Sequence, residues 1–302
     1  MEYIYGNPNA HPWKNVASIF AAHDSLNSAQ TSSLPLVQFW RASGKNFEGK
    51  QLNSDAQKLL KKCLGENGTD KGAQLCFEYA VPVHKNSGRG KASMTDLMIL
   101  TKKRAIAVEA KWKECKEDYQ TIKDWLGAAS KEGDSNENRR KVLNGWINYI
   151  NEYIGEEKLN TIVVDNGDDK TIPDHYKSIP YQLLHRIASA CAEAKKKNKK
   201  ATVIYQLFYS DETSFKDAGW EVVTKGDVKK FAKKLRTGFV TLFKGFREPE
   251  PIQFSIMITK VSKGEGFDDA IEKCKKSDDL NELFLEMQHR DIYSFDWEPY
   301  KP

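Results

Sequence analysis

Two hydrophobic spacings alternate along this chain, and the points where one gives way to the other divide it into elements. From Ser54 the spacing is helical, with Leu59, Leu60 and Cys63 on one face behind a serine that suits a helix start. Three apolar, β-rich runs follow in quick succession at 74–83, 94–100 and 105–112. Helical spacing then returns. Residues 114–129 read as a helix that breaks off near Gly133, and 136–154 as another, with Val142, Trp146, Tyr149 and Tyr153 recurring along it. Pro180 opens a third helix that runs to about Lys197, since proline is tolerated in a first turn. A fourth strand is predicted at 202–209, a basic helix near 227–238, an apolar strand at 252–261 and a helix near 278–289. The first fifty residues look irregular, with helices near 13–23 and 34–43. Segment 155–178 is loop-like, and the aromatic tail at 292–302 shows no period.

The order helix, three strands, helices, strand predicts an α/β fold, a mixed central β-sheet flanked by helices. The chain is expected to be a single domain over 1–302: an N-terminal helical extension at 1–52, a core at 53–212 with a helical insertion at about 114–178, and a C-terminal α+β extension at 213–302. At 302 residues with 39% hydrophobic content it can bury a sizeable core.

Composition narrows the class. Residues 1–13 have neither the basic nor the apolar region of a signal peptide, and no stretch is apolar enough to span a bilayer. The five cysteines, Cys63, Cys76, Cys115, Cys191 and Cys274, form no CxxC pair, which argues against a zinc site or a disulfide frame. The expectation is a soluble, cytoplasmic protein with no membrane partner. Net charge is only +5, but basic residues gather at 85–91, 195–200 and 229–236, and acidic ones at 165–169 and 264–286. Such segregation either makes a basic face for nucleic acid or reflects solvated helix surfaces.

The chemistry lies in the third strand, Ala105-Ile106-Ala107-Val108-Glu109-Ala110-Lys111-Trp112. Strand side chains alternate, so Glu109 and Lys111 share a face. Buried charge is costly unless it is paired or metal-bound. An ExK tripeptide also starts at Glu48, Glu114, Glu156 and Glu193, but only the Glu109 copy follows an apolar strand. The second strand holds one acid, Asp96, and a polar turn, Thr101-Lys102-Lys103-Arg104, joins the two. A hairpin centred between Lys102 and Lys103 pairs residues whose numbers sum to 205, which sets Asp96 opposite Glu109. Like charges there repel. A hard divalent cation between them would relieve the repulsion, and removing one carboxylate would do the same.

Asp96, the turn and Glu109-Ala110-Lys111 together resemble the PD-(D/E)xK nuclease superfamily, with Thr95 standing where the motif has proline. Two further blocks carry the likeness: Glu78-Tyr79-Ala80-Val81-Pro82-Val83 before a basic loop, and Tyr181-Gln182-Leu183-Leu184-His185-Arg186 on the helix before the fourth strand. Together they resemble an uncharacterised bacterial branch, over roughly residues 53–212. The resemblance implies a restriction-endonuclease-like αβββαβ core with helical additions. It also implies Mg²⁺-dependent hydrolysis of DNA phosphodiesters, with Mn²⁺ as a substitute metal. Asp96, Glu109 and the Ala110 carbonyl would hold the ion, and Lys111 would orient water or stabilise charge. Glu78 is a candidate additional acid. Gln182 and Arg186, four apart on one helix face, resemble the QxxxY element of RecB-like nucleases with arginine in place of tyrosine. His185 lies off that face and is expected to be a packing residue. For nucleic-acid contacts the candidates are Lys85, Arg89 and Lys91 of the glycine-containing loop, with Ser93, Lys113 and Arg186. Three readings stay open: a restriction- or defence-type endonuclease, a RecB-like exonuclease or repair nuclease, and a non-catalytic DNA-binding or assembly module. Analogy adds a homodimer and defence-system proteins as candidate partners.

Overall fold

The computed structural model describes residues 2–5, 32–40, 52, 54–64, 73–82, 84–85, 92–128, 136–155, 159, 174–210, 215–216, 220–244, 252–277 and 291–301. Its centre is one sheet whose strands lie side by side in chain order: β1 (Glu2–Tyr5), β2 (Gln74–Val81), β3 (Ser93–Leu100), β4 (Arg104–Lys111), β5 (Lys200–Tyr209), β6 (Gln253–Lys263) and β7 (Tyr293–Pro299). The sheet is mixed. β2, β3 and β4 form an antiparallel meander, β4, β5 and β6 run parallel, β7 returns antiparallel to β6, and β1 lies parallel to β2. Among the described residues eight helices accompany it: α1 (Ser33–Trp40), α2 (Ser54–Leu64), α3 (Ile122–Gly127), α4 (Asn136–Ile154), α5 (Asp174–Lys177), α6 (Tyr181–Lys196), α7 (Lys225–Leu242) and α8 (Phe267–Ser277). The α/β class and the helix, three strands, helix, strand succession therefore stand as expected, running from α2 through the meander to α6 and β5.

Every residue of β4 is buried, because the strand is central and covered on both faces. α6 packs on β4 and β5, α4 packs on α6, and α7 lies against β5, β6 and α6. On the other face Trp40 of α1 donates its indole N–H to the Gln206 side chain at 2.8 Å. Tyr205 and Gln206 are successive strand residues, so α6 and α1 sit on opposite sides of β5. Gly238 lets α6 and α7 approach: a methyl at this position would lie 2.8 Å from Pro180 Cδ and 3.2 Å from Leu183 Cδ2.

Several elements depart from expectation. β7 falls in the tail read as lacking a period, yet Tyr293, Phe295 and Trp297 alternate with Ser294, Asp296 and Glu298 in its edge-strand pattern of burial. Edge strands keep one face wet, and the two acids broke the apolar run that would have marked it. β1 and α8 were also not expected. The single helix predicted over 114–129 is instead a 3-10 turn, Lys113–Cys115, followed by a new start at α3. Thr121 and Asp124 restart the helix through a capping box, each side chain accepting from the other's backbone N–H at 3.1 Å. The predicted helices at 13–23 and 278–289 lie outside the described residues.

Candidate active site

The β3–β4 hairpin turns where the polar tetrapeptide placed it. Thr101 N–H donates to the Arg104 carbonyl at 3.0 Å, and the pairs Leu97–Val108, Met98–Ala107, Ile99–Ile106 and Leu100–Ala105 all sum to 205. The paired register stops at Leu97–Val108. One step further, the alternation of an antiparallel ladder would give the Ala110 N–H to the Thr95 carbonyl. The Asp96 carboxylate takes it instead, its Oδ2 accepting at 2.8 Å. A side chain has replaced a ladder bond, and that substitution holds Asp96 against the Glu109–Lys111 end of β4. The β2–β3 register, with pairs summing to 174, brings Glu78 opposite Asp96. Glu78 has a positive φ of 48°. That conformation is costly for a residue with a Cβ and tends to occur where function or packing enforces it.

Glu109 is 1% exposed. Lys111 Nζ donates to its Oε1 at 2.9 Å, and Arg186 Nε donates to its Oε2. The alternation argument for a shared Glu109–Lys111 face therefore holds. The cation between the two acids is the protein's own: the Arg186 guanidinium bonds Glu109 and reaches Asp96 Oδ1 at 4.0 Å. Its Nη1 also lies 3.4 Å from Thr95 Oγ1 and 3.5 Å from Ser93 Oγ. Thr95, the residue in the place of the motif's proline, is thus a wall of the site.

Charge here is out of balance. Burial alone would raise the Glu109 carboxyl, but Arg186 and Lys111 overrule it and hold it at about 2. Asp96 is lifted to about 8, by burial first and by the Glu109 charge second. Burial likewise lifts Glu78 to about 7 against the pull of Arg186. Lys111 and Arg186 are both pushed upward: burial works against their charge, but the surrounding carboxylates outweigh it. Two cations thus fully ionise one acid and leave two that bind protons near neutrality. Burial lowers His185 to about 3, and its ring stacks on Trp146 with centroids 4.6 Å apart, as a packing residue does.

The remaining candidates divide. Gln182 joins Lys111 along a cleft of about 230 Å³ between α6, α7 and the turn after β4. Arg186, expected to contact nucleic acid, is only 5% exposed and spends its guanidinium on Glu109. Burial at the acid is its physical role here. Ser93 also faces inward, its Oγ 3.0 Å from Ser189 Oγ. Lys85 is exposed, and Lys113 is half-buried in the 3-10 turn. Arg89 and Lys91 lie outside the described residues. Of the longer basic runs, the second lies on the exposed side of α7, whose other side buries Val228, Phe231, Ala232 and Leu235.

One group at this site was missed altogether. Tyr205 pairs with Glu109 in the parallel β4–β5 register, lines the same cleft and is buried, and its hydroxyl has no hydrogen-bond partner among the described residues. Only the strand pairing could have revealed it.

A domain of unknown function, DUF6946, matches residues 10–241, which contain every acid and base of this site. The chain belongs to the DUF6946 family. No curated protein and no solved structure matches it. The family match ends within α7, so β6 and β7 lie beyond it.

Proposed function

We propose that this DUF6946 protein is a metal-dependent nuclease that hydrolyses DNA phosphodiesters. The carrying observation is the Asp96–Glu109–Lys111 constellation, half-buried at Asp96 and buried at the other two, at the splayed end of a hairpin and open to a cleft through Lys111. A purely structural ion pair has no need of two further acids that stay protonated near neutral pH, and such clusters in clefts mark functional sites.

The donor set suits a hard divalent cation such as Mg²⁺ or Mn²⁺ by its chemistry: carboxylate oxygens in excess of the positive charge around them. Asp96, Glu109 and the Ala110 carbonyl would hold the ion. Among the described residues no three acidic, histidine or cysteine side chains converge closely enough to hold one together, because Glu109 is turned into Arg186 and Lys111. Sharing Glu109 with a metal therefore requires Arg186 to yield Oε2. A bound metal would polarise the phosphate and acidify water. The chain's own groups do the rest. Lys111, charged at any working pH, offers N–H donors to the charge that develops on the phosphate rather than acting as a base. Gln182 positions from the cleft wall, and exposed Lys85 with Arg89, Lys91 and Lys113 would meet the backbone. Glu78 would tune the charge seen by the ion.

Gln182 beside Lys111 favours a second reading within the same chemistry, a RecB-like exonuclease or repair nuclease rather than a restriction- or defence-type endonuclease. Cleavage of closed-circular and linear DNA, each with Mg²⁺ and with EDTA, tests both. Cutting of circles sinks the pure exonuclease, activity in EDTA sinks the metal, and loss of all cutting leaves the binding module. The reading carries a cytoplasmic setting with it, consistent with the free thiols of Cys76, Cys115 and Cys191. No helix among the described residues is long and apolar enough to cross a membrane.

A further inference from the structure

We propose that the cleft beside Lys111 seats a single unpaired nucleotide, with the Tyr205 hydroxyl as its buried hydrogen-bond donor, so that the substrate is a single strand or a duplex with a base turned out. The proposal rests on the nuclease reading for its chemistry but stands on separate observations.

The first is Tyr205 itself. A buried hydroxyl without a partner is costly, and native interiors rarely keep one without a reason. Tyr205 lies across from Glu109 and borders the open cleft, so a ligand seated there is placed to supply the missing partner. Burial and the charge of Glu109 push the phenol well above its usual range, which leaves it a proton donor.

The second is how the cleft is lined. Its inner end carries donors, Lys111 and Tyr205 with the Gln182 amide. Its walls carry rings. Tyr181 opens α6, and Trp125, which is not part of the lining, stacks on it at 5.5 Å and 8°. Phe231 lines the cleft from α7 and packs edge-on against Tyr119, with centroids 6.3 Å apart. A backbone bridge fixes this wall: Tyr181 N–H donates to the Gln120 carbonyl at 3.2 Å and Ile122 N–H to the Ile179 carbonyl at 2.9 Å. Rings held in place by a second layer are a stacking platform, and stacking accepts any base that has left its helix.

The third is charge. Glu117 and Asp118 border the same cleft. They repel phosphates and accept hydrogen bonds from base amino groups. Glu114, which also borders the cleft, pairs with Lys111 at 3.6 Å, and Asp118 pairs with Lys234, so the backbone belongs beside Lys111 and the base toward Glu117. A cleft of about 230 Å³ has room for one base.

The test measures binding of a short fluorescein-labelled single strand and of the blunt duplex of the same sequence, with Ca²⁺ in place of Mg²⁺, for the full chain and for Tyr205→Phe. The single strand is expected to bind about tenfold more tightly than the duplex, as stacking of one base provides. Tyr205→Phe should weaken the single strand by about three- to tenfold, the loss of one hydrogen bond. Its melting temperature should stay level or rise, because no internal bond is lost. Equal affinity for the two DNAs overturns the proposal. So does Tyr205→Phe binding like the wild type, whether or not it melts lower. Single-strand binding as expected without cleavage under any metal removes the nuclease reading and keeps the cleft. Cleavage without strand preference does the reverse.

Discussion

The two ends of strand β4 each bury a cation, and they handle it differently. At the turn end Arg104 donates to Thr202 Oγ1 at 3.2 Å and to Gln253 Oε1 at 2.8 Å, neutral acceptors from β5 and β6. At the far end Lys111 and Arg186 meet Glu109, Asp96 and Glu78, and burial leaves two of those acids with raised pKa values. Arg104 ties three strands together. The far end keeps more acid than its cations neutralise, and that excess is what the proposed metal and substrate would meet. Buried charge alone does not mark a site; imbalance does.

The comparison breaks first at Glu109. Glu109→Gln should lower the cleavage rate by about a hundredfold or more, the scale of losing one transition-state electrostatic partner. It should also destabilise the protein by about 3–5 kcal/mol, because Arg186 is left buried opposite a neutral group. Initial rates and chemical denaturation check the two effects. A stable, inactive Glu109→Gln would mean that Arg186 is not held by this carboxylate. The sequence-level idea that removing either acid relieves repulsion is therefore split by the geometry: Glu109 is a needed counter-ion, and only Asp96 is in excess.

Arg186→Met removes the internal cation instead. A loss of about 2–4 kcal/mol is expected, less than at Glu109 because Lys111 remains on the acid. Mn²⁺ titration followed by calorimetry should show tighter binding than in the wild type, and weaker binding would remove the competition between guanidinium and metal.

At the other end, Arg104→Met should cost about 1–3 kcal/mol, the price of leaving neutral acceptors unpaired, with cleavage unchanged. An activity loss there would erase the distinction between the two ends.

The smallest effect is a pH dependence. Asp96 is raised in the folded state to about 8, so its protonated form stabilises the fold below its ordinary value of 3.8, and that stability is lost as pH rises toward 8. Asp96→Asn should therefore match the wild type in melting temperature at low pH and exceed it by a few degrees, about 2–4 °C per kcal/mol, above pH 8. A constant difference across pH would place the Asp96 charge outside the site.

Much of this was legible. The Glu109–Lys111 pair stood out because apolar strands rarely carry two charges, and a turn of four polar residues fixed the register with Asp96. What was hidden depended on partners far away in the chain. Arg186 and Glu109 are separated by 77 residues, and the helical spacing that put Arg186 beside Gln182 carried no sign that one points into the sheet while the other lines the cleft. Tyr205 sat in an apolar run where nothing distinguishes a packing ring from a donor. β7 hid behind its own acids, because an edge strand need only alternate.

Gly238 sets the width of the cleft. Tyr181 begins one wall on α6, while Phe231 and Leu235 furnish the other on α7. The gap between those helices is set where a hydrogen stands in for a methyl beside Pro180. A single added carbon there, on a residue that touches no acid, no base and no ligand, would act as a shim: it would prise the two helices apart and loosen the grip on whatever they hold.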